Sequence, residues 1–313
     1  MTPQRPSVDG RRGGRLADTL LAVVPPSRRW AWWTAAGAAA AGILLQITYI
    51  LVAGEARRLV TIAVVVTFAL AAVLHAVAVR GAAWGLAMAL SVSVLALTVE
   101  AVGTATGFPF GAYSYTGTLG PEVADVPVLI PLAWLWMAYP CYLAGQALAR
   151  RSPAGRRWGW LVGAWTLASW DLFLDSMMVT DGHWVWDNPT PALPGISGIP
   201  LTNYAGWVAT AILMMLAIAA VTRLIPPAPS SAISTATSPA PPSDPAPGRL
   251  PVDAVPAAVL AWTYVGSVMA NLVFLSRPAT AVWGGLLMGL TAIPYLRLLV
   301  QDARTLRARA VDR

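Results

Sequence analysis

The chain has 313 residues, of which 57% are hydrophobic and only 11% carry a formal charge. A soluble globular chain carries about 25% charged residues, and even a large soluble core needs a hydrated surface, so this composition excludes an ordinary soluble domain and makes lipid the solvent. The net charge of +7 rests on 21 basic residues, all arginine, set in short clusters beside apolar runs, which speaks against a nucleic-acid face and for orientation at a membrane surface.

A helix needs about 20 apolar residues to cross the hydrocarbon. Residues 1–28 form a basic, arginine-rich N-terminal tail, expected to be disordered. The first apolar run, Trp32–Ala53, follows it without a small-residue cleavage site, which predicts a retained span rather than a signal peptide. The second, Leu59–Val79, carries His75, expected to be a hydrogen-bonded or tightly packed helix histidine. The third, Ala82–Thr104, carries Glu100 and leads into the loop Gly107-Phe108-Pro109-Phe110-Gly111-Ala112-Tyr113-Ser114-Tyr115. The fourth, Val126–Ala147, is punctuated by prolines: Pro127 suits a first helical turn, whereas Pro131 and Pro140 are expected to kink the helix and open a cavity. The fifth, Trp158–Val179, carries Asp171 and Asp175. A loop with His183, Trp184, Trp186 and the proline-rich stretch Asn188–Pro194 then reaches the sixth run, Leu201–Val221, whose start holds Asn203, Tyr204 and Trp207. Residues 226–254 form a Pro/Ser/Ala-rich linker, followed by the runs Pro256–Phe274 and Thr280–Val300 and a basic C-terminal tail over 301–313.

These runs predict an all-α, polytopic transmembrane helical bundle of about eight spans. A membrane domain over 29–225 holds six spans and the active centre between 100 and 207; residues 255–300 supply two more. With the N-terminus inside and the spans alternating, only Arg57, Arg58 and Arg277 of the 21 arginines fall outside. That bias predicts cytoplasmic N- and C-termini and a cytoplasmic linker. No internal repeat is visible, which disfavours a transporter built from inverted repeats.

A charged residue at the centre of a span costs about 2.5–3.5 kcal/mol on insertion scales. Asp171 and Asp175 are four residues apart and share one helix face. On the predicted topology Glu100, Asp171 and Asp175 all fall in the outer halves of their spans, so acids from two helices can meet at one depth. Two readings stand: carboxyls hydrated at the interface, or an intramembrane functional site, the default for an ionisable group in a span. No arginine lies in either span to neutralise them. A carboxyl held away from water favours its neutral, proton-carrying form, which suits a general acid.

The surrounding aromatics also have two readings. A belt at the headgroup level accounts for Trp184, and for Trp30, Trp32, Trp33, Trp158 and Trp160 on the other side. The glycines and prolines of the loops instead imply fixed turns that place aromatic walls. Asn203 is either a helix N-cap or a substrate contact. His183 lies in an outer loop, and Met137, Met177 and Met178 fit helix packing. The single cysteine, Cys141, cannot form an intrachain disulfide, and neither a metal-ligand cluster nor a Gly-rich phosphate loop is visible. No cofactor and no metal are therefore expected.

Four segments, GFPFGAYSYTGTLGP, VPVLIPLAW, DLFLD followed by MVTDGHWVW, and GIPLTNYAGW, resemble in this order the carotenoid biosynthesis membrane proteins of the carotenoid hydratase family. Ser176 stands where the resemblance implies proline, and Tyr204 where it implies phenylalanine. The resemblance implies a hydro-lyase of the cell membrane that hydrates the terminal double bond of an acyclic carotenoid end group to a tertiary alcohol, without a cofactor. A carboxylic acid supplies the proton, aromatic faces stabilise the cation by about 0.5–2 kcal/mol each, and a second carboxylate deprotonates water. On this reading Asp175, with Asp171, is the acid and Glu100 the base. Phe108, Phe110, Tyr113, Tyr115, Trp134, Trp184, Trp186, Asn203, Tyr204 and Trp207 bind the substrate. The expected partners are a carotenoid taken from the bilayer, the lipid membrane and other carotenoid biosynthesis enzymes, with no nucleic acid. The alternatives are another end-group reaction by the same protonation, such as cyclisation, and a non-enzymatic carotenoid-binding or proton-coupled transport protein. A proton relay predicts polar residues throughout the membrane depth, yet only Gln46, His75 and Gln146 lie elsewhere in the runs considered.

Overall fold

The computed structural model describes residues 24–152, 158–228 and 252–311. Most of the N-terminal tail and most of the 226–254 linker lie outside the described residues. Eight long helices occupy the eight apolar runs: α1 (Arg29–Tyr49), α2 (Gly54–Arg80), α3 (Ala82–Thr106), α4 (Leu129–Arg151), α5 (Gly159–Thr180), α6 (Leu201–Leu224), α7 (Ala254–Met269) and α8 (Pro278–Val311). Short strands join some of them: β1 (Tyr113–Tyr115), β2 (Glu122–Val123), β3 (Val126–Pro127) and β4 (Trp184–Trp186). A helical hairpin satisfies its own backbone polar groups, which is why helices dominate in lipid.

Among the described residues six helices are long and apolar enough to cross a membrane: α1, α2, α3, α6, α8, and α7 together with a π-turn over Ala270–Phe274. The chain is thus a helical membrane protein. The remaining two, α4 and α5, are the more polar ones and the most enclosed. α4 is buried on every face from Leu129 to Gly145 except at Leu132, and α5 buries an unbroken run from Thr166 to Phe173. A helix surrounded by helices does not need a lipid-compatible surface, so Asp171, Asp175, Trp134, Trp136 and Trp170 are carried at the centre of the bundle. The two central helices touch backbone to backbone: a Cβ on Gly145 would collide with the Gly159 carbonyl.

Several expectations shift. Pro127 lies in β3, two residues before α4, and Pro131 instead takes the first helical turn, where its missing N–H costs nothing. Pro140 is inside α4, as expected. The 301–311 part of the predicted tail continues α8 as helix. Trp32 is 6% exposed and belongs to the core, while Trp30, Trp33 and Trp158 are exposed as a belt requires.

The ends of the bundle are tied by ion pairs. At one end Arg80 Nη2 meets Asp253 Oδ1 at 2.9 Å, and Arg151 pairs with Asp302. His75 is fully buried between the Tyr139 hydroxyl (3.0 Å) and the Val252 carbonyl (2.8 Å), a satisfied helix histidine that anchors the start of α7. At the other end the Tyr49 hydroxyl donates to Asp181 at 2.5 Å, Arg57 pairs with Asp181 at 3.3 Å, and Arg58 reaches the Thr118 carbonyl at 2.9 Å.

Candidate active site

The loops after α3 and α5 fold into a cap. Gly107, at φ 76°, ends α3 in the left-handed conformation that only glycine adopts freely, and so turns the chain back over the bundle. β1 and β4 then pair antiparallel, with Tyr113 opposite Trp186, Ser114 opposite Val185 and Tyr115 opposite Trp184. Side chains alternate along a strand. Tyr113, Trp184 and Trp186 are therefore buried and Tyr115 half-buried, while Ser114 and Val185 face out. The Tyr113–Trp186 and Tyr115–Trp184 ring pairs are each 5.7 Å apart. Two glycines make room beneath: a Cβ on Gly103 would lie 2.9 Å from the Tyr113 hydroxyl, and one on Gly206 2.6 Å from the Phe110 ring.

Under this cap the three acids converge. Glu100 of α3 accepts three hydrogen bonds: Tyr113 (2.5 Å) and Tyr115 (2.8 Å) donate to Oε2, and Trp134 Nε1 of α4 donates to Oε1 at 2.8 Å. Burial, with the Glu100 charge next in weight, pushes the phenols of both tyrosines well above their ordinary pKa, so they remain donors. Asp171 and Asp175 share one partner from α6. Asn203 Nδ2 donates to Asp171 Oδ2 at 2.9 Å and to Asp175 Oδ2. Asn203 is the third residue of its helix and Pro200 is the N-cap, so the capping reading is overturned. Asp171 Oδ1 finds no hydrogen-bond partner among the described residues.

Glu100, Asp175 and Asn203 line one cavity of about 60 Å³. Of the aromatics expected to bind substrate, Phe110, Tyr113, Tyr115, Trp134, Trp184, Trp186 and Trp207 line it too. Trp134 stacks on Trp207 at 3.8 Å between ring centroids, a flat aromatic wall beside the acids. None of the lining residues is basic. Trp184 is 6% exposed and forms part of this wall, which overturns its reading as a belt residue.

Two residues expected to bind substrate do not line this cavity. Phe108 is 73% exposed at the tip of the turn, because Phe110 takes the inward place over Gly206. Tyr204 is half-buried and off the lining. Asp171 is likewise off the lining, behind Asp175. Conversely, Thr61 and Val65 of α2, Ala133 of α4, and Leu174 and Met178 of α5 line the cavity without having been singled out as contacts. They are apolar or small, and no sequence signal separates such residues from ordinary core. Ser176, at the motif's departure from proline, hydrogen-bonds the Leu172 carbonyl (2.9 Å) and accepts from Thr280 of α8 (3.0 Å), so it ties α5 to α8. His183 sits in the cap, with Nδ1 2.8 Å from the Thr118 hydroxyl, and burial lowers its pKa toward the neutral imidazole.

Residues 59–241, more than half of the chain and all of this site, match the family described as carotenoid biosynthesis protein. The chain belongs to that family. A bisanhydrobacterioruberin hydratase of Haloarcula japonica is 32% identical over 124 residues, which cover 39% of this chain and 40% of the relative. The chain thus spans less than half the length of this relative. No solved structure matches. The resemblance read from the four motifs is borne out for this carotenoid biosynthesis protein, and its site is the densest part of those motifs.

Proposed function

We propose that the chain is a cofactor-independent hydratase of the terminal double bond of an acyclic carotenoid. The observation that carries this reading is the pairing of two unlike carboxyl sites around one aromatic-walled cavity. Asp171 and Asp175 share the Asn203 amide, and two carboxyls so close in a dry site do not both ionise; they hold a proton between them. Asp175, on the lining, hands it to the less substituted alkene carbon. Glu100, an acceptor for three donors, has the bonding of an ionised carboxylate. The tertiary cation forms against the Trp134–Trp207 wall and the cap aromatics. A water adds its oxygen to the cation and gives one proton to Glu100, leaving the alcohol. Return of that proton from Glu100 to the aspartate pair restores both carboxyl sites and completes the cycle. The hydratase name of the Haloarcula japonica relative supports the same chemistry.

Expression in a host that accumulates an acyclic carotenoid tests this. The expected product is the tertiary alcohol, heavier than the substrate by one water. A cyclised product of unchanged mass, or no conversion, overturns the proposal.

The same reading sets the protein in the cell membrane as eight spans with both termini cytoplasmic, the cap facing out and the carotenoid drawn from the bilayer, within reach of other carotenoid biosynthesis enzymes. The arginine bias supports it. Reporter fusions after Arg157 and after Trp186 are expected to report opposite sides of the membrane; the same side for both would remove the model of alternating spans.

A further inference from the structure

A second cavity, of about 310 Å³, lies beside the first and is nearly all apolar. The two share Thr61, Val65, Ala133, Leu174 and Met178 as common walls, so the apolar cavity abuts the one that holds the acids. From this junction the space runs past the buried rings of Trp136, Trp170 and Phe173. It ends between α1 and the C-terminal part of α7, where Ile47, Met269 and Phe274 are 40%, 44% and 54% exposed. The far lip is the π-turn Ala270–Phe274, closed by Leu275 N–H to the Ala270 carbonyl at 2.9 Å; such turns break helix regularity and recur at functional sites.

We propose that this space is the lateral portal and binding groove for the linear polyene chain of the substrate, with Gly266 of α7 and Ile47 of α1 setting whether a long chain fits. The proposal rests on the hydratase reading for what happens at the acids. The walls shared with the acid cavity argue for the occupant: an end group seated between Asp175 and Glu100 must trail its chain somewhere, and the adjoining apolar cavity is the nearest place for it. The second cavity is apolar, opens toward lipid, and has the volume of a small-ligand site. Gly266 widens the groove. The three atoms nearest a Cβ built there, at 3.3–3.5 Å, all belong to the Trp262 ring, which itself lines the groove, so a longer side chain crowds the groove wall. Ile47 stands half-exposed at the mouth, where a larger ring is accommodated without disturbing the core.

The test uses the full chain in detergent, purified from a host rich in an acyclic polyene, and counts polyene retained per protein. Wild type and Asp175→Asn are expected to retain it, since the groove does not depend on the acid. Gly266→Leu and Ile47→Trp are expected to retain roughly tenfold less. In turnover assays, the preference for the long polyene over a short alkene with the same dimethyl-substituted end should fall by a similar factor in both variants. If Gly266→Leu fails to insert, Ile47→Trp decides alone. Polyene retained at the wild-type level by the groove variants, or a phospholipid retained in its place by the wild type, overturns the groove. Loss of retention in the groove variants, with no hydrated product from any form, leaves the groove standing and removes the hydratase reading instead.

Discussion

Asp175→Asn is expected to stop hydration while leaving the protein folded in the membrane. Asparagine keeps the size of the residue and an oxygen for the Asn203 amide, but it has no proton of useful acidity to give. Removing one general acid typically costs about 10²–10⁴-fold in rate. Asp171→Asn is expected to fall in the same range, by a different route. Asp171 lies off the cavity lining, and its carboxyl shares Asn203 with Asp175. Its loss removes the partner that holds the proton in the pair. Product formed per unit of membrane-inserted protein, with melting temperature as the folding control, measures both. Hydrated carotenoid at wild-type levels from both variants would make the pair structural and sink the mechanism.

The acid pair was legible before any coordinates because spacing and burial cost both speak in sequence. Two aspartates four apart inside an apolar run share a face, and a costly group is kept there for a reason. Glu100 was legible in the same way. The cap was only half legible. Tyr-Ser-Tyr and Trp-Val-Trp alternate with the period of a strand, which is the signal that four aromatics point one way. Inside a chain of long apolar runs, however, a tryptophan suits a belt as well as an inner wall, and only the fold puts Trp184 and Trp32 inside. Tyr204 and Phe108 neighbour Asn203 and Phe110 in sequence, yet neither lines the cavity. The groove left no mark at all. Its walls come from α1, α2, α4, α5 and α7, in residues that would serve equally well as lipid-facing or core positions, and only the fold decides which side of a helix is hollow.

Glu100→Gln should be as damaging as the loss of Asp175, and for a reason the hydrogen bonds specify. The carboxylate accepts from Tyr113 and Tyr115 on one oxygen and from Trp134 on the other. A glutamine amide presents an oxygen to one side only and turns its NH₂ toward a donor on the other. Whichever way it is set, it both loses the charge that faces the cation and leaves a buried donor without an acceptor, a penalty of about 1–3 kcal/mol by itself. With the loss of the base that takes the water's proton, a fall of about 10²–10⁴-fold is expected. Tyr113→Phe separates the two contributions. It removes one of three donors, leaves the carboxylate in place with Tyr115 and Trp134, and is expected to cost about 1.5–3 kcal/mol, the worth of a hydrogen bond to a charged group. The order wild type, Tyr113→Phe, Glu100→Gln in falling rate is therefore the signature of a carboxylate that acts and a tyrosine that holds it. A Tyr113→Phe variant slower than Glu100→Gln would reverse those roles and put the phenol at the reacting carbon. Glu100→Gln at wild-type rate would show that water is deprotonated elsewhere, and Glu100 would then be no more than the post on which the cap hangs.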